Sequence, residues 1–216
     1  FQYARLNKNF NIIAVDLPGH GSSEGKGEND INVYSAWVKK LLDVLQLKNV
    51  TIAGHSLGAA IALTSAADFG SMINGVVSVG GGLKMPVNPA IFELLKKDRE
   101  TAFELMCKFS LAKENRIKLA EPLKKSMAAA NIEALYNDLV ACDKMDLTDK
   151  VKKVNLPSLI MCGEEDKMTP PQLSQDIAAN IKGSKTCFIK GAGHMVMMER
   201  PEEFNNALIT FAQSFS

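Results

Sequence analysis

The sequence predicts an α/β fold: a mostly parallel sheet flanked by helices, with a helical lid insertion between two of its strands. Three observations carry this prediction. Short apolar runs rich in β-branched residues recur at residues 11–15, 50–53, 76–79, 158–162 and 186–189. Helical patterns alternate with them, at about 33–45, 57–69, 172–181 and 201–215. The stretch from Pro86 to about Lys153 breaks this rhythm and offers no strand-like run.

The strand runs lack clean apolar–polar alternation, as expected of strands covered on both faces. Strands that alternate with helices pair in parallel, with right-handed crossovers on both sides of the sheet. The carboxyl-terminal helix is the clearest of its kind. Pro201 suits a first helical position, Glu202 and Glu203 favour the positive end of the helix dipole, and Phe204, Leu208, Phe211 and Phe215 mark one face. Between Pro86 and Lys153 the amphipathic segments are 91–107, 113–120, 123–130 and 132–142. They read as a lid over the strand ends, where open α/β sheets bind ligands. The division is therefore a core of 1–85 and 154–216 and a lid of 86–153. Ordinary crossover helices are the plainer alternative.

Bulk composition bounds the function. The 216 residues are 46% hydrophobic and 23% charged, which suits one domain or one domain with an insertion. A formal net charge of +1 gives no electrostatic case for nucleic acid or an anionic membrane. No uninterrupted apolar stretch is long enough to cross a bilayer. Cys107, Cys142, Cys162 and Cys187 show no Cys-x-x-Cys spacing, and free thiols in a reducing cytoplasm are the simplest reading. The chain starts at Phe1 without a methionine, and residues 1–6 read as the end of a helix; further residues are expected upstream.

The chemistry concentrates at Gly54-His55-Ser56-Leu57-Gly58, between a β-branched run and the small-residue helical stretch that begins at Ala59. The pattern Gly-x-Ser-x-Gly alone arises by chance in roughly one chain in fifteen of this length. Its strand–turn–helix setting is what gives it meaning. A serine hydroxyl is a poor nucleophile in water, and it needs a base and an acid to orient that base.

Three histidines are available. His55 adjoins the serine and would point elsewhere on a sharp turn. His20 lies in the loop Asp16-Leu17-Pro18-Gly19-His20-Gly21. His194 follows the last strand in a glycine-rich loop, the placement expected of a base at the sheet's edge. The acid should follow the penultimate strand, where Gly163-Glu164-Glu165-Asp166 makes a carboxylate-rich turn. Asp166 is the preferred candidate, Glu164 and Glu165 are read as solvated neighbours, and Asp143 and Asp146 are less well placed.

These motifs, in this order, resemble the α/β-hydrolase superfamily and its lid-bearing esterases, lipases and haloperoxidase-like members. The resemblance covers nearly the whole chain, from Asp16-Leu17-Pro18-Gly19-His20-Gly21-Ser22-Ser23 through the elbow to Gly193-His194. It implies Ser56 as nucleophile, Asp166 as acid, His194 as base and the Leu57 backbone N–H as one oxyanion donor. Serine at the elbow separates the chain from the dehalogenases and epoxide hydrolases of the superfamily, which use aspartate. His20, Ser22 and Ser23 are implied to be structural parts of their loop.

The resemblance also marks a departure. Family members carry further strands before the loop at Asp16, and one of them leads into the second oxyanion donor. That donor is expected from a segment absent here; losing such a donor costs about 2.7–4 kcal/mol. The missing strand would sit between the runs at 11–15 and 50–53; those two runs pairing directly is the alternative.

The expected activity is that of a serine hydrolase (carboxylesterase-like) cleaving an ester or related acyl bond of a small to medium apolar substrate. No metal or organic cofactor is called for. Perhydrolase (haloperoxidase-like), thioesterase and carbon–carbon hydrolase activities use the same triad, and a non-catalytic ligand-binding role is the reading from another class. Phe92, Leu95, Phe103, Met106 and Phe109 of the insertion, with Met195, Met197 and Met198, could wall an adaptable apolar pocket or simply be core. Exposed lid helices would suit a homodimer.

Overall fold

In the computed structural model, which describes residues 2–8 and 10–215, four parallel strands form one sheet. They are β1 (Val50–His55), β2 (Ile73–Val79), β3 (Ser158–Gly163) and β4 (Lys185–Ile189), adjacent in chain order. Helix α1 (Gln2–Leu6) opens the described chain; Phe1 lies outside the described residues. Helix α2 (Ile31–Val44) precedes β1, and α3 (Leu57–Phe69) links β1 to β2. Helix α8 (Pro171–Asn180) links β3 to β4, and α9 (Val196–Glu199) and α10 (Pro201–Gln213) close the chain.

The two inner strands are covered on both sides. Val76 and Ile160 face one layer with Ala60, Leu63, Ala66, Ile177 and Ile181. Val77, Val79, Leu159 and Met161 face the other, with Val196, Phe204 and Phe211. Burial on both faces is why these runs show no alternation. The register places His55 beside Val79, Val79 beside Met161, and Gly163 beside Ile189. The segments that follow the strands therefore emerge together at the carboxyl end of the sheet.

Residues 11–15 correct the sequence reading. They carry no strand hydrogen bonding, Ile13 and Val15 are 56% and 44% exposed, and β1 pairs with β2 alone. A β-branched run is a local property, whereas a strand requires a neighbour in the ladder, and none lies against this one among the described residues. Nor do residues 11–15 pair with β1.

Four helices fill the interval between β2 and β3: α4 (Pro89–Lys97), α5 (Arg99–Ser110), α6 (Arg116–Ala129) and α7 (Ile132–Lys144). No strand occurs there among the described residues. Two boundaries differ from expectation. The segment 91–107 is split at Asp98, whose non-helical backbone (φ −151°, ψ 81°) ends α4 while its carboxylate caps α5 at Thr101 N, 3.2 Å away. The segments 113–120 and 123–130 are joined, because α6 continues through Pro122. Leu95, Phe103 and Met106 are core of this helical layer, with Phe92 edge-on to Tyr136 at 5.3 Å. Phe109 is exposed, Met195 packs beside Cys107 and Leu111, and Met197 packs beside Val196 and Phe204. No helix among the described residues is long and apolar enough to cross a membrane.

Candidate active site

Ser56 sits at the junction of β1 and α3 with φ 54° and ψ −116°. A non-glycine residue there is strained by about 1–3 kcal/mol. The strain is held from several directions. Ser56 N donates to Val79 O at 2.9 Å, and Ser56 O accepts from Ala59 N and Ala60 N at 2.9 and 3.3 Å. The tightness explains Gly54, where a Cβ would meet Gly58 O at 1.9 Å. At Gly58 itself a Cβ would meet nothing within 4 Å. Leu57 opens α3, so its N–H is one of the helix-start donors that lack an intrahelical acceptor.

Asp166 lies in the turn after β3 and is 4% exposed, whereas Glu164 and Glu165 are exposed. Its Oδ1 accepts from Met168 N and Thr169 N, both at 2.9 Å. Its Oδ2 lies 2.9 Å from Thr169 Oγ1 and 2.8 Å from His194 Nδ1. Burial pushes the Asp166 carboxyl up. The hydrogen bond and charge of His194 and the Thr169 donors outweigh it, leaving the group below its ordinary value. Asp143 instead accepts from Val87 N, and Asp146 binds Thr148 and Lys84.

His194 is 4% exposed. Its main chain is fixed on both sides: His194 N donates to Ser110 O at 2.8 Å, and His194 O accepts from His55 Nε2 at 2.8 Å. With Nδ1 turned to Asp166, Nε2 is the nitrogen left for other work. Gly80 (φ +55°) leaves room for this ring, since a Cβ there would stand 3.2 Å from its Nδ1. Ser56 is thus bonded to Val79, whose successor abuts His194, and its other neighbour, His55, holds the His194 carbonyl. Among the described residues no hydrogen bond joins Ser56 Oγ to His194; such bonds often tighten only when substrate is present.

His20 stands apart from this cluster. Its Nε2 lies 2.7 Å from Asp138 Oδ2 on α7, and its Nδ1 lies 3.1 Å from Pro18 O. Ser22 N and Ser23 Oγ bind the Asp16 carboxylate and carbonyl at 2.9 and 2.7 Å, which makes them parts of the loop. Thr169 and Glu199 went unread in the sequence, although Thr169 follows Asp166 by three residues, a spacing that suits side-chain-to-backbone turns. A depression of about 410 Å³ lined by Gly70, Ile73, Asn74, Lys153 and Pro157 lies at the opposite, amino-terminal ends of β2 and β3. Among the described residues no His/Cys/Asp/Glu cluster of metal-binding form occurs.

A parallel sheet with a strained serine on its first turn and a buried Asp–His pair beyond its last strands defines the α/β-hydrolase class. The family model described as "Alpha/beta hydrolase family" matches residues 1–207, and the chain belongs to that family. Among sequence relatives, the AB hydrolase superfamily protein YisY of Bacillus subtilis (strain 168) is 26% identical over 222 residues, covering 96% of this chain and 83% of the relative. A thermophilic esterase of known structure is 32% identical with a TM-score of 0.88, covering 100% of this chain and 85% of that one. The esterase EaEST of Exiguobacterium antarcticum shares the fold, with a TM-score of 0.91 at 23% identity over 98% of this chain and 85% of that one.

Proposed function

We propose that the protein is a serine hydrolase that cleaves a carboxylic ester or related acyl bond of a small to medium apolar substrate. The observation that carries this reading is the buried Asp166–His194 pair, 2.8 Å apart, beside a serine held at φ 54°. Ser56 Oγ attacks the acyl carbon while His194 Nε2 takes its proton. Asp166 holds the imidazole in one tautomer and balances the charge it acquires. The Leu57 N–H, at the positive end of α3, faces the developing oxyanion. His194 then protonates the leaving group, and water resolves the acyl-enzyme through the same base.

In this reading the helices within residues 86–153 form a lid on a core of 1–85 and 154–216. All four cysteines are free and three are buried, which suits a reducing cytoplasm. The similarity to a thermophilic esterase at 32% identity supports an ester substrate.

The test is fluorophosphonate labelling of the full-length protein together with turnover of short-chain p-nitrophenyl esters. Labelling should map to Ser56 and vanish, with turnover, in Ser56→Ala. Labelling that persists at another residue contradicts the assignment.

A further inference from the structure

Glu199 is a carboxylate with 6% exposure that the proposed chemistry does not use. Burying such a group is costly unless its lone pairs are filled, and here they are filled by two separate parts of the chain. Oε1 accepts from Gly193 N at 2.8 Å. Oε2 accepts from Ala112 N and from Asn115 Nδ2, both at 2.8 Å. Asn115 Nδ2 also reaches Gly191 O at 3.0 Å, and Arg200 pairs with Glu114. The loop before His194 is thereby fastened to the segment that follows α5.

The fit is close at the backbone as well. A Cβ on Gly193 would meet Ala112 N at 2.7 Å and Ser110 O at 2.8 Å. The same Ser110 O accepts from His194 N and Met195 N, at 2.8 and 3.2 Å. The imidazole's main chain is therefore seated on the end of α5, and Glu199 is the charged group that clamps the two together. We infer that Glu199 is a positioning residue for His194, and that residues 110–115 and the loop 191–194 act as one body. This rests on the reading of His194 as the base.

Glutamine cannot replace it, because either orientation of the amide turns an N–H group toward Gly193 N or toward Ala112 and Asn115. In the full-length protein, Glu199→Gln should lower kcat on p-nitrophenyl acetate, counted per site titrated to completion with fluorophosphonate, by about ten- to hundred-fold. KM should change by less than about threefold, since substrate contacts are untouched. The downfield Nδ1–H proton resonance of His194 should broaden or shift. A purely structural role would reduce the number of titratable sites and leave kcat per site and that resonance alone.

Asn115→Ala, which leaves Glu199 two of its three donors, is the milder variant if Glu199→Gln fails to fold. It should lower kcat per site by about two- to tenfold. Unchanged kcat per site in whichever variant folds overturns the inference while the hydrolase reading stands. An unaltered protein that neither labels nor turns over overturns both.

Discussion

His55 donates its Nε2–H to the main-chain oxygen of His194 at 2.8 Å, and the two imidazoles lie 4.5 Å apart, tilted by 52°. Burial first, and then the nearby charge of His194, push the His55 imidazole from 6.5 down to about 3. The bond to the His194 carbonyl offsets this only in part. His55 is thus a neutral donor that braces the neighbouring histidine's backbone. The elbow position before Ser56 has a task of its own.

This depression sets a direction for stability. Between the ordinary value of 6.5 and the folded value near 3, the unfolded chain binds a proton at residue 55 that the folded chain refuses. Stability should fall as pH drops through that window. His55→Gln replaces the ring N–H with an amide N–H donor and removes the titration. Its urea midpoint should therefore depend less on pH between about pH 7 and pH 5 than that of the unaltered protein. Equal slopes for the two would refute the assignment.

His20 should act with the opposite sign. The hydrogen bond to Asp138 raises its pKa above 6.5; burial works against this, and the Asp138 charge reinforces it. Its stabilisation is full below 6.5 and is lost as pH rises through the folded value. Asp138 also accepts from the buried Tyr34 hydroxyl at 2.6 Å, so one carboxylate ties α2 and the loop at 16–28 to α7. Asp138→Asn should cost about 1–3 kcal/mol near pH 6 and less near pH 8. Thermal unfolding at the two pH values measures it.

The two glycines of the elbow should prove unequal. Gly54→Ala drives a methyl to within 1.9 Å of Gly58 O and should cost at least about 1–3 kcal/mol, with loss of labelling at Ser56. Gly58→Ala has open space and a helical position, and should stabilise by up to about 1 kcal/mol. Melting temperatures of the pair decide this.

The sequence announced what depends on local chemistry. Strands at 50, 76, 158 and 186 were legible because short β-branched runs between helical patterns have few other uses, and α3 and α10 because small or apolar residues fall on helical faces. The elbow, the carboxylate turn and the glycine loop of His194 were legible from their own turn-forming residues and their places after strand runs. Pairing across the chain was not. Residues 11–15 have strand composition without a ladder partner, and Glu199 meets Ala112 across 87 residues of sequence. The boundaries of 91–107 and of 113–120 with 123–130 differ from the structure in opposite ways. Asp98 ends the first and caps the helix that follows, and Pro122 lies inside the helix that joins the other two.

Thr169 bridges both members of the Asp166–His194 pair. Its hydroxyl lies 2.9 Å from Gly80 O, 2.9 Å from Asp166 Oδ2 and 3.0 Å from His194 Nδ1. One hydroxyl carries a single proton, so it donates to one of the two oxygens and turns a lone pair toward the Nδ1–H that Asp166 also accepts. Thr169→Val keeps the shape and removes both functions, whereas Thr169→Ser keeps the hydroxyl and removes a methyl. If the hydroxyl orients the pair, valine should lower kcat about tenfold at nearly constant KM while serine stays within about twofold. Should serine fall as far as valine, the methyl's packing in the buried turn is what matters, and the hydroxyl does not orient the pair.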